Sequence, residues 1–180
     1  MQSETGNTYA VRAAVGTAVA GLVSTAHHLY GAIAYDTPWR LIVSLWIPGF
    51  VLIVLSALYL CRRRVGTRVG SIALWIFFLG AVVFQFGFTL FECVYSHVLK
   101  NTLYYGGASE EFLLRLFPPP AYHLPDNLLF EFTGLLQLIG LLAVWWSYQF
   151  VRGHYRSAQV PRFPFKATSA SGRKQTSPES

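Results

Sequence analysis

Leu41–Arg68 reads LIVSLWIPGFVLIVLSALYLCRRRVGTR, and this stretch decides the fold. From Leu41 to Cys61 no side chain is charged, and the run then meets Arg62, Arg63, Arg64 and Arg68. A hydrocarbon core about 30 Å thick takes roughly 20 apolar residues of helix. Inside it every backbone polar group must be satisfied locally, which a helix does and a lone strand does not. Leu41–Cys61 therefore reads as a membrane-crossing helix that stops at a basic link.

Working outward, three more apolar stretches have the required length: about Tyr9–Tyr35, Val69–Val98 and Asn127–Val151. The links Asp36–Arg40 and Arg62–Arg68 are short, so successive spans should be antiparallel neighbours. The expected fold is all-α: an integral-membrane antiparallel four-helix bundle over residues 1–156, with a basic, disordered cytoplasmic tail over 157–180. Ala32-Ile33-Ala34 resembles a leader cleavage site, but the apolar stretch before it is too long for a leader.

The composition agrees. Of 180 residues, 53% are hydrophobic and 12% charged, about half the charged share of a soluble domain. This excludes a disordered chain, a disulfide-rich secreted domain and a soluble nucleic-acid-binding module. The net charge of +6 is a topology signal and does not call for a nucleic-acid partner. Eleven basic residues lie before span 1, between spans 2 and 3, or after span 4, and only Arg40, Lys100 and Arg115 lie on the other side. The positive-inside rule then puts both termini in the cytoplasm.

The outer link Leu99–Asp126 is the only long one. Gly106-Gly107 should end a helix, and Ser109 should cap a short amphipathic one with Glu110 and Glu111 in its first turn. Phe112, Leu113, Leu116 and Phe117 would form its apolar side. Pro118-Pro119-Pro120 should follow as an extended segment, with Pro125 at the first turn of span 4. Trp39 and Arg40 suit the headgroup layer, and Gln85 suits an interhelical hydrogen bond. Cys61 and Cys93 lie at opposite membrane levels, too far apart for a disulfide.

Ionisable groups inside spans are costly, and each is a candidate for function. They are His27 and His28 in span 1, Glu92 and His97 in span 3, and Glu131 in span 4. At 1.5 Å per residue, Glu92 lies roughly 36 Å from Arg68 and Glu131 roughly 31 Å from Arg152. The same rise places His27 and His28 roughly 23 Å from Arg12, so all five groups fall near the outer boundary. Imidazoles with carboxylates suit a transition metal such as iron, zinc or copper.

The leading expectation is a metal-binding or redox-related site built from His27, His28, Glu92, His97 and Glu131. An alternative is an isomerase-type enzyme with Glu92 and Glu131 as acid and base on an apolar small molecule. A third is a non-catalytic accessory subunit of a membrane complex, whose polar residues only specify packing. Helical phase is a constraint on all of them. Glu92 and His97 point about 140° apart on a regular α-helix, so both can face one centre only if the helix has loosened.

Overall fold

The computed structural model describes residues 2–159, with side chains for 6–155; the expected tail lies, from residue 160 onward, outside the described residues. The described part is helical, with no strand. We label the helices α1 (Gln2–Ala34), α2 (Pro38–Arg63), α3 (Arg68–Tyr105), α4 (Glu110–Leu116), α5 (Leu128–Leu136) and α6 (Ile139–Gln159). Four stretches are long and apolar enough to cross a membrane: Gly6–Ala34, Pro38–Arg63, Arg68–Tyr105 and Leu128–Tyr155. Large apolar side chains such as Leu22, Ile33, Leu45, Leu52 and Ile53 cover the outside, as suits a multi-pass membrane protein.

α1 is the hub, packing on α2, α5 and α6, while α3 packs on α2 and, through its outer half, on α5. Small residues permit this. A Cβ at Gly16 would come within 3.0 Å of Ala143, so α1 and α6 approach to backbone distance there. Below the candidate site, Ala10, Ala13, Val54, Ala57, Cys61, Phe77 and Phe150 form an apolar core, with Phe77 edge-on to Phe150 at 5.6 Å. Cys61 and Cys93 are buried and unpaired.

The third span is longer than Val69–Val98. Thr67 caps its start, its Oγ1 accepting from Gly70 N at 3.1 Å, and it ends where Gly107 adopts φ +81°. Nothing between Leu99 and Tyr105 breaks a helix, so Lys100 and Asn101 are helical residues and not loop residues. Along the way the backbone widens twice to i→i+5 pairing, at Leu79–Phe84 and Leu90–Leu99.

The outer connection corrects three expectations. Ser109 does cap α4, its Oγ accepting from Phe112 N at 3.4 Å, but only Leu113 and Phe117 of the expected apolar side are fully buried, and Phe112 is exposed. The prolines form a turn closed by Tyr122 N donating to Pro118 O at 3.3 Å, not an extended run, because the chain must double back to α5. Pro125 precedes the fourth span without joining it. Asn127 is the cap, its Oδ1 accepting from Phe130 N at 2.9 Å. The fourth span is itself divided at Gln137–Leu138, where Gln137 N bonds Gly134 O and Leu138 N bonds Leu135 O in tighter i→i+3 steps.

Close approach at Gly16 gives a test. Gly16→Leu should overpack the α1–α6 contact and cost about 1–3 kcal/mol, lowering the unfolding midpoint in detergent. Gly49→Leu, with nothing within 4 Å of its new Cβ, should leave that midpoint almost unchanged.

Candidate functional site

Three helices and the connection between α4 and α5 deliver polar groups to one place. α1 brings His27 and His28, the widened part of α3 brings Glu92, Ser96 and His97 with Lys100 just beyond it, and α5 brings Glu131 and Thr133. The widening resolves the phase conflict in α3. With i→i+5 pairing, residues five apart share a face, and Glu92 and His97 are five apart. One nitrogen of His27, one of His97 and a carboxylate oxygen of Glu92 lie within 4.8 Å of one another. The rings of His27 and His97 meet edge to face at 4.9 Å.

The hydrogen bonds engage both rings at Nδ1. Thr133 Oγ1 donates its single proton to the backbone at Leu129 O (2.9 Å) or Phe130 O (3.0 Å). Toward His27 Nδ1, 2.9 Å away, the hydroxyl must then accept, so Nδ1 carries hydrogen and Nε2 keeps its lone pair. His97 Nδ1 is 2.7 Å from Glu131 Oε2, and a carboxylate accepts, so His97 has the same tautomer. Gly134 makes room for that ring, since a Cβ there would lie 2.1 Å from His97 Nε2.

His28 is buried, and neither of its ring nitrogens has a hydrogen-bond partner among the described residues. Its Nε2 lies 3.9 Å from Glu92 Oε2. Glu131 is placed differently from Glu92. Its oxygens are engaged by His97, by Lys100 Nζ at 2.7 Å and by Asn101 Nδ2 at 2.5 Å, so it stands behind His97 as an anchor. Lys100 Nζ also pairs with Asp126.

Two cations escaped the sequence reading. Lys100, expected in the link after the third span, is helical and fully buried. Arg40 was assigned to the headgroups and is buried too, donating from Nη2 to Ala121 O at 2.6 Å and lying over the Phe130 ring at 4.7 Å. Desolvating a cation is costly, and here carboxylates, a carbonyl and an aromatic face take the place of water. A signal existed for Lys100. It falls one turn after His97 and before any helix breaker.

These groups line a cavity of about 220 Å³ roofed by Arg40, Ala121 and Tyr122. Burial raises the Tyr122 phenol above its ordinary range, so Tyr122 stays a neutral hydroxyl, 3.4 Å from Ser96 Oγ. Three carboxyl groups, Glu92, Asp126 and Glu131, and two basic side chains, Arg40 and Lys100, meet around the imidazoles. Glu92 is the carboxylate without a cation at hydrogen-bond distance. No known protein family, curated protein or solved structure matches this chain.

Removing the buried ammonium should expose what it holds. Lys100→Met strands Asp126 and Glu131 together and should cost about 3–5 kcal/mol, read as a large fall in unfolding midpoint. Arg115→Gln breaks only the exposed pair with Glu111 and should change the midpoint negligibly.

Proposed function

We propose that this chain is an antiparallel four-helix membrane bundle with cytoplasmic termini, whose outer-leaflet site binds one divalent transition-metal ion, iron or zinc. His27 and His97 would bind through Nε2 and Glu92 through its carboxylate, with His28 as the fourth candidate ligand. Glu131 and Thr133 would orient the two rings from behind. The observation that carries the reading is the approach of one nitrogen each of His27 and His97 and a Glu92 oxygen to within 4.8 Å of one another, with both rings engaged at Nδ1 by an oxygen behind them. A metal-ligating histidine is commonly held in this way, one nitrogen donating to a carboxylate or other oxygen and the other left bare for the ion.

Electrostatics support the same reading. A dication would favour the ionised form of Glu92, whose carboxyl group stands beside three imidazoles with no basic residue at hydrogen-bond distance among the described residues. Two imidazoles and one carboxylate are a donor set shared by zinc enzymes and non-haem iron centres. The adjoining cavity would leave a coordination position open to a small molecule. The acid/base alternative has weaker support, because Glu131 is already bound by three donors and is poorly placed to exchange protons with a substrate.

The test is metal content and affinity of the purified protein. The wild type should bind one equivalent of Zn²⁺ or Fe²⁺ and release it on acidification, as protons compete for the imidazoles. His27→Ala, His97→Ala and Glu92→Gln should each abolish tight binding, and Glu131→Gln should weaken it by about 10–100-fold. Glu110→Gln, on the exposed start of α4, should leave affinity unchanged. No saturable binding by the wild type, or unaltered binding by all four site variants, would end the metal reading.

The orientation has its own test. A cysteine at Ser109 should react with a membrane-impermeant reagent added outside intact cells, and one at Thr67 should not. The opposite pattern would invert the protein and place the site in the inner leaflet.

A further inference from the structure

A second cavity, of about 290 Å³, lies beside the first among α1, α2, α3 and the α5–α6 break. The two adjoin at Phe88, which lines the larger cavity and sits 6.1 Å, ring to ring, from His28 of the smaller. Its walls are aromatic. Phe50 and Phe84 are 4.7 Å apart, Phe84 and Phe88 are stacked at 15°, and Trp46 completes the lining. Trp46 and Phe84 are both exposed on the outside of the helices, so the cavity opens sideways, where hydrocarbon would lie.

Four polar groups interrupt this apolar lining. Thr17 Oγ1, Ser24 Oγ, Gln85 Oε1 and Gln137 Nε2 are buried and have no hydrogen-bond partner among the described residues. The residues that carry them are 2%, 5%, 8% and 4% exposed. Gln85 does not make the expected interhelical bond through its carbonyl oxygen. Unsatisfied polar groups are costly in a protein interior and more so in a membrane, where no bulk water competes. Four of them converging on one cavity are a hydrogen-bonding set awaiting a partner. Gln85 Oε1 lacks a donor and Gln137 Nε2 lacks an acceptor, so a ligand that satisfies both must offer both.

We infer that this cavity binds a lipid-soluble aromatic ring bearing oxygen substituents, the chemistry of a quinol. A flat ring would lie between the Phe and Trp faces. One hydroxyl would donate to Gln85 Oε1, and an oxygen on the far side of the ring would accept from Gln137 Nε2. Ser24 and Thr17 hydroxyls can serve as either donor or acceptor along the α1 wall. An apolar tail would leave through the lateral opening. The site differs in residues and chemistry from the histidine cluster, and binding there requires no metal ion.

The experiment titrates a short-tailed hydroquinone and the matching alkylbenzene into the full chain in lipid nanodiscs, under reducing conditions with a chelator present. The hydroquinone should bind saturably and at least tenfold more tightly than the alkylbenzene. Gln85→Leu and Gln137→Leu should each weaken hydroquinone binding about tenfold and leave alkylbenzene binding unchanged. Both variants remove an unpaired buried group, so their unfolding midpoints should stay level or rise, separating lost binding from lost folding. Equal affinity for the two ligands would make the cavity a plain hydrocarbon slot and overturn the inference. So would absence of saturable binding, or undiminished hydroquinone binding by both glutamine variants.

Discussion

A buried lysine ammonium must be met by anions, and this end of the helices is arranged around that requirement. Lys100 on α3 reaches Asp126, just before α5, and Glu131 within α5. The triad ties the two helices and the end of the outer loop together at one level. Glu131, once held by Lys100 and Asn101, has an oxygen aimed at His97 Nδ1, so the ring is oriented by a charge pair made elsewhere. The chemistry of the imidazole cluster thus depends on a cation that does not belong to it.

The backbone contributes as much as the charges. A regular α-helix would send Glu92 and His97 to different faces. The wider pairing of Leu90–Leu99 brings them together, and Gly134 on the opposing helix leaves the space His97 fills. Wide turns give up regular hydrogen-bond geometry, and they recur where a side chain must be aimed against the ordinary helical register. The tightened steps at Gln137–Leu138 are the counterpart on the facing span. They let α5 follow the site while α6 follows α1.

Four apolar helices, the cap at Ser109 and the convergence of His27, His28, Glu92, His97 and Glu131 were legible in the sequence. Those features depend on run length, local capping and the axial rise, all of which act within one segment. Lys100 and Arg40 were misplaced because a charge was taken to mark the edge of a span, when each is neutralised or screened by residues distant in sequence. The proline turn and the start of α5 were misplaced because the loop's path is set by what it must cover. Gln85 was given a partner that its carbonyl oxygen does not have. The hydrogen-bond state of a buried side chain depends on the facing helix, and no single segment encodes it.

The Arg40 contact with Ala121 has a consequence for the order in which the chain can assemble. The guanidinium stands at the start of α2, yet the carbonyl that receives it lies 81 residues later. Before that loop and the Phe130 ring are in place, the guanidinium has the Tyr35 and Trp39 rings of its own hairpin beside it, at 5.3 and 5.1 Å, but not the Ala121 carbonyl. The Ala121 carbonyl and the Phe130 ring complete the burial of the arginine, so this end of the helices can close only once the fourth apolar stretch has been made.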